Sequence, residues 1–253
     1  VTEDFLIQNM VACLDLTDID AFLIQYADFV ARLFNADKVF FYHAIQAYNL
    51  PDRRSKGFPD LETELTDIIR GEIQRLIGDY YERQGKFEVV ISTQEEDAAD
   101  GIIDFVDRNG IDLTLIGQKF GENREGRYAR RIAAEAPSDI LFVPESAEME
   151  ASPLLCAVDC SEESRAAFEK ALYLSKSQDV ALVCYMVLDP TRAYFPASTL
   201  KSSHVLEQKA WERYDQFLEK YGFDSSEIPC RIRINDQMTG QAEKIYEVAM
   251  EEN

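Results

Sequence analysis

The sequence predicts a doubly wound parallel α/β sheet that occurs twice in tandem, and three observations carry that expectation. Short apolar runs alternate with amphipathic stretches along the first copy. Strands joined by helices in this way form parallel βαβ units with right-handed crossovers. Met10-Val-Ala-Cys-Leu-Asp15-Leu-Thr17 aligns with Leu154-Leu-Cys-Ala-Val-Asp159-Cys-Ser161, so the start of the pattern recurs 144 residues later. Self-similarity at a fixed offset is the mark of duplication. Finally, 253 residues with 46% hydrophobic and 29% charged content suit one large or two small folded domains and exclude fibrous or disordered classes.

In chain order, Asn9 to Leu14 has the length and apolar content of a buried strand, and Asp18 to Phe34 follows as a helix. Lys38 to Ile45 is the second strand. Leu61 to Arg83 is helical because Leu65, Ile68, Ile69, Ile73, Leu76, Ile77 and Tyr80 recur at spacings of three and four, which makes one apolar stripe. Phe87 to Thr93 is the third strand. Ala98 to Arg108 repeats the helical spacing through Ile102, Ile103, Phe105 and Val106. Asp112 to Gly117, a fourth helix, and Asp139 to Val143 complete five strands and four helices. Pro144 to Pro153 is acidic, proline-bounded and aperiodic, as a linker should be. The expected domains are therefore 1–147 and 152–253. In the second copy, Glu162 to Ser175 is a helix, Val180 to Leu188 a strand, Cys230 to Ile234 the third strand and Thr239 to Met250 the third helix. The sequence then ends where the first copy begins Asp112-Leu-Thr-Leu-Ile-Gly, and Val1 stands in place of methionine; both point to a longer protein.

Charge narrows the function. Lys and Arg number 26 against 47 Asp and Glu, a formal charge of -21 that repels nucleic-acid phosphates and anionic lipids. No apolar stretch reaches the roughly 18 residues of a membrane span, so a cytoplasmic location is expected. The five cysteines, Cys13, Cys156, Cys160, Cys184 and Cys230, contain no CxxC pair and read as reduced, mostly buried thiols. Cys156 and Cys160 come nearest to a metal pair, but four strand residues span about 13 Å. Only His43 and His204 exist, which leaves histidine-based catalysis little to draw on. Thr17 and Ser161 read as helix N-caps, Thr17 with Asp20 forming a capping box. His43 reads as a satisfied strand-end histidine. Trp211 with Leu206, Tyr214, Phe217 and Leu218 reads as an apolar helix face, either core or interface.

Four features resemble the universal stress protein family in its tandem form. They are Cys156-Ala-Val-Asp159-Cys-Ser161 with the looser Cys13-Leu-Asp15-Leu-Thr17; His43 closing the second strand; Leu115-Ile-Gly117 with a glycine-bearing loop; and Ala136-Pro137 leading into Ser-Asp-Ile-Leu-Phe-Val-Pro144. The resemblance implies a Rossmann-like sheet of order 3-2-1-4-5 and, in many members, bound ATP. In such an order the topological switch lies between strands one and four, so a ligand belongs in the crevice at their carboxyl ends. Asp15 is placed to accept hydrogen bonds from a ribose, Asp159 is its counterpart in the second copy, and backbone amides of the loop from Gly117 are placed to cradle phosphate. Possible ligands are ATP or AMP with magnesium.

The loop departs from the family's ATP pattern of Gly, two residues, Gly, nine residues, Gly, then Ser or Thr. Gly117, Gly121 and Gly126 are separated by three and four residues, and Arg127 replaces the hydroxyl residue. Arg124, Arg127, Arg130 and Arg131 cluster there, either as an altered anion site or as arginines paired with Glu122, Glu125 and Glu135. The leading expectation is a non-catalytic stress-response or regulatory protein with weak or absent ATP binding in its first copy, acting through contacts with an unidentified protein. The alternative is an ATP- or adenylate-binding switch. An adenine-nucleotide hydrolase is disfavoured, since neither Asp15-Leu-Thr nor Asp159-Cys-Ser carries that group's glycine-rich loop. In the tandem family the final strand pairs with its counterpart, so Ile140, Leu141, Phe142 and Val143 are expected to build a homodimer edge.

Overall fold

The computed structural model describes residues 7–46, 61–82, 87–94, 98–118, 126–150, 152–188, 203–224, 228–234 and 240–251. The chain divides between Met149 and Glu150 into two compact units.

The first unit runs β1 (Asn9–Leu14), α1 (Ile19–Leu33), β2 (Lys38–Gln46), α2 (Leu61–Tyr80), β3 (Phe87–Gln94), α3 (Ala98–Asn109), β4 (Leu113–Gln118), α4 (Gly126–Glu135) and β5 (Asp139–Pro144). Its sheet has the order β3-β2-β1-β4-β5, every pair parallel. β1 is buried on both faces because its side chains alternate between two cores. Met10, Ala12 and Leu14 pack with Leu23, Ile24 and Ala27 of α1 and Ile69, Ile73 and Ile77 of α2. Val11 packs the other way, with Ala99, Ile102 and Val106 of α3 and Ile132 of α4. A continuous apolar run thus becomes the central strand, and each large aliphatic side chain buried there contributes about 1.5–3 kcal/mol.

The helices stop by a shared device. After α1, Asn35 takes a left-handed φ of 52°, its N–H donates to the Arg32 carbonyl and Ala36 N–H donates to the Ala31 carbonyl at 2.9 Å. That pair of bonds is a Schellman motif, and it delivers the chain to the next strand. After α3, Gly110 at φ 54° does the same, with Ile111 N–H bonded to the Val106 carbonyl at 3.1 Å.

The second unit runs β6 (Leu154–Ala157), α5 (Glu162–Gln178), β7 (Leu182–Leu188), α6 (Ser203–Tyr221), β8 (Cys230–Ile234) and α7 (Gln241–Glu251). Its parallel sheet has the order β6-β7-β8, which repeats the β1-β2-β3 half of the first unit. Ser161 caps α5 by accepting the Ser164 N–H at 3.1 Å.

Several boundaries differ from expectation. α2 ends at Tyr80 rather than Arg83. α5 continues to Gln178 because its left-handed stop is Asp179, whose neighbour Val180 bonds back to the Ser175 carbonyl; Val180 therefore closes the helix instead of opening β7. Trp211 does not share the core face of α6: Tyr214, Phe217 and Leu218 are buried, whereas Trp211 is 40% exposed.

Candidate functional site

At the carboxyl ends of β1 and β4 the crossovers part to opposite faces of the sheet, and a crevice of about 710 Å³ opens there. That volume is within the range of small-molecule sites. Its walls are chiefly apolar, with Tyr42, Ile102, Ile116 and Tyr128 among them, and its polar lining is Asp15, Asp20, His43, Gln118 and Arg130.

Asp15 follows the last residue of β1, and it is exposed. Leu16 follows at φ 61°, a conformation costly for a branched residue, and it turns Thr17 back toward Asp15. The Asp15 carboxylate accepts the Thr17 N–H at 3.1 Å and also the Thr17 hydroxyl. Thr17 is therefore not the expected N-cap: Asp18 holds that position without a side-chain cap bond. Asp20 of α1 reaches back instead. Its carboxylate accepts the Leu16 N–H at 2.8 Å and the Asp15 N–H at 3.2 Å. This buried side chain, 1% exposed, sets the shape of the turn that presents Asp15. Burial, with the charge of Asp15 adding to it, pushes the Asp20 carboxyl up to about 7 despite its two amide donors.

His43, 9% exposed, lies 2.9 Å through Nδ1 from the Leu14 carbonyl. A carbonyl only accepts, so Nδ1 carries the proton and Nε2 remains an acceptor. Burial lowers the His43 pKa and keeps the ring neutral. Cys13 in the crevice wall is pushed up by burial to about 12, which leaves a neutral thiol and no ready nucleophile.

Gly117 lines the crevice with Asp15. A Cβ at Gly117 would meet the Ile19 side chain at 3.1 and 3.2 Å, so the glycine lets α1 approach β4. Gly126 and Arg127 open α4, the Arg127 side chain lying outside the described residues, as do Gly121, Glu122, Arg124 and Glu125. Arg131 pairs with Asp100 and, over 3.2 Å, with Glu135. Exposed Arg130 instead stands at the rim of the crevice. In the second unit, Asp159 repeats the Asp15 turn: it accepts the Ser161 N–H at 2.9 Å beside Cys160 at φ 60°. Hydrogen bonds from Ser161, side chain first and backbone next, hold the Asp159 carboxyl below its usual range.

Among the described residues no group of three or more His, Cys, Asp or Glu side chains is arranged to hold a metal ion, and no described helix is long and apolar enough to cross a membrane.

The class these features define is a doubly wound α/β fold with a ligand crevice at its switch point. No protein-family model matches the chain, and no curated protein matches it in sequence. Among solved structures, a universal stress protein from Archaeoglobus fulgidus DSM 4304 is similar at 15% identity and a TM-score of 0.63, over 98% of this chain and 82% of that one. A functionally unknown protein from Pseudomonas aeruginosa PAO1 is similar at 15% identity and a TM-score of 0.59, over 97% and 78%. The chain thus has the fold of the universal stress proteins.

Proposed function

We propose that the chain is a non-catalytic, cytoplasmic regulatory protein of the universal stress type, and that its first unit is a binding module for a small ligand carrying a planar ring and hydroxyl groups. The observation that supports this reading is the exposed Asp15 carboxylate, held by Thr17 and by the Asp20-braced turn at the mouth of an apolar crevice. Apolar walls suit a base, and the carboxylate suits a pair of ribose hydroxyls. The spacing of Gly117, Gly121 and Gly126 argues against strong triphosphate cradling. The Cys13 thiol, pushed up by burial, supplies no activated nucleophile.

Isothermal titration with ATP and magnesium tests this reading. Saturable binding is expected only far above the micromolar range, with Asp15→Ala abolishing what remains. Saturable binding at a low micromolar dissociation constant, or weak binding that Asp15→Ala leaves intact, would overturn it. Exposed Arg130 at the rim favours a second reading, an ATP- or adenylate-dependent switch. Nucleotide in the mass spectrum of the freshly purified, denatured protein would favour that one. The protein contacts of the first reading include a homodimer through the β5 edge.

A further inference from the structure

The second unit holds four of the five cysteines, and three of them form a row. Parallel pairing of β6, β7 and β8 sets Cys156 opposite Cys184 and Cys184 opposite Cys230, all buried in the core that α6 covers with Tyr214, Phe217 and Leu218. The matching row of the first unit is Ala12, Phe41 and Val89, so packing in this fold does not require sulfur there.

The row is suited to a disulfide and not to a metal. Neighbouring strands lie about 4.8 Å apart, so the outer two positions are separated by about 9.6 Å. Among the described residues no group of three or more His, Cys, Asp or Glu side chains is arranged to hold a metal ion, this row included. One strand spacing, by contrast, is within the roughly 4.4–6.8 Å between Cα atoms that a disulfide spans. Cys184 has a neighbour on each side and can bond only one. The side chain that hydrogen-bonds Cys184 in this row is Cys156, while the Cys230 thiol turns to the Arg231 carbonyl, so Cys156 is taken as the partner.

We propose that Cys156 and Cys184 form an oxidant-responsive dithiol, closed to a disulfide by a peroxide. The Cys184 thiolate attacks one peroxide oxygen and breaks the O–O bond; the leaving hydroxide takes up the proton that Cys184 released and becomes water. The Cys156 sulfur then attacks the sulfenic sulfur as it gives up its proton, forming the S–S bond, and the second hydroxide leaves as water with that proton. The two sulfurs together lose two electrons and the peroxide gains two. Cys184 is the better first thiol because Cys156, paired directly across from it, donates to it; against burial this holds Cys184 below the usual thiol range and pushes Cys156 up. Half-buried Cys160 packs against the same cluster at the carboxyl end of β6.

The experiment exposes the native chain to hydrogen peroxide, counts free thiols after denaturation and maps non-reduced peptides by mass spectrometry. The expected result is a fall from five thiols to three, a Cys156–Cys184 cross-link and full return with dithiothreitol. Cys230→Ser should keep the cross-link and Cys184→Ser should lose it. If Cys184→Ser fails to fold, the wild-type peptide map alone decides. A map with no such cross-link once peroxide has oxidised other cysteines, or with Cys184 bonded to Cys230 or Cys160, overturns the proposal.

Discussion

At the scale of single residues, Asp20 is the group on which the crevice depends, and it is the one that sequence reading placed least well. Thr17 and Asp20 stand at capping-box spacing, which says that one of them bonds a backbone amide. It does not say that Leu16 adopts a left-handed φ, turns the Thr17 hydroxyl onto Asp15 and leaves the whole task to Asp20. Asp15 was legible because it repeats as Asp159; nothing in composition marks Asp20 as a nearly fully buried carboxyl. Its burial has a measurable consequence. The folded-state pKa of about 7 is above the ordinary 3.8, so Asp20 favours the folded state below pH 4 and loses that contribution as pH rises through 7. Asp20→Asn removes the ionisation while keeping an acceptor for one of the two amides. Urea denaturation of both proteins should show the variant gaining stability relative to wild type between pH 4 and pH 8. A difference that stays flat across that window would mean that Asp20 ionises as a solvated carboxyl does.

Elements were legible wherever the apolar period was long. The stripe of α3 and the run of β1 needed only spacing; in α2 Ile69, Ile73 and Ile77 reach the core while Ile68 and Tyr80 of the expected stripe are exposed, and the ends of all three needed more. Sequence identifies a glycine as a helix stop, as at Gly110 and Gly222, but Asn35 and Asp179 take the same left-handed position without being glycine. Asx residues tolerate that conformation through local hydrogen bonding, and equally well fill caps, turns and exposed helix faces, so residue type alone leaves the stop ambiguous. This is why α5 runs three residues past the expected Ser175. The stop after α3 gives a clean test, because a Cβ at Gly110 meets no atom within 4 Å. Gly110→Ala therefore isolates backbone strain, about 1–2 kcal/mol for a left-handed residue with a Cβ. Denaturant titration should show that loss with an unchanged slope. Its absence would mean that the Ile111 to Val106 bond is not what fixes the turn into β4.

At the scale of the whole molecule, alternation and the repeated strand start made the layered architecture readable, while the proposed dimer through β5 rests on an edge that pattern alone describes only coarsely. β5 closes the five-stranded sheet and is paired with β4 on one side. Its side chains are not equivalent: Val143 is buried, Leu141 packs onto the core shared with α1 and α2, and Phe142 is 40% exposed. A strand paired on one side among the described residues, beside an exposed aromatic ring, is an invitation to a second strand. Two copies of a chain with formal charge -21 also repel one another, so association through this edge should strengthen with salt. Raising ionic strength from about 0.01 M to about 0.1 M shortens the screening length from about 30 Å to about 10 Å. Sedimentation equilibrium should therefore show a dimer fraction that grows across that range. Phe142→Lys should abolish it by placing a solvated charge on the edge, without emptying the core as a change at Leu141 would. Monomer at every salt concentration, or a dimer indifferent to Phe142→Lys, would remove β5 as the interface.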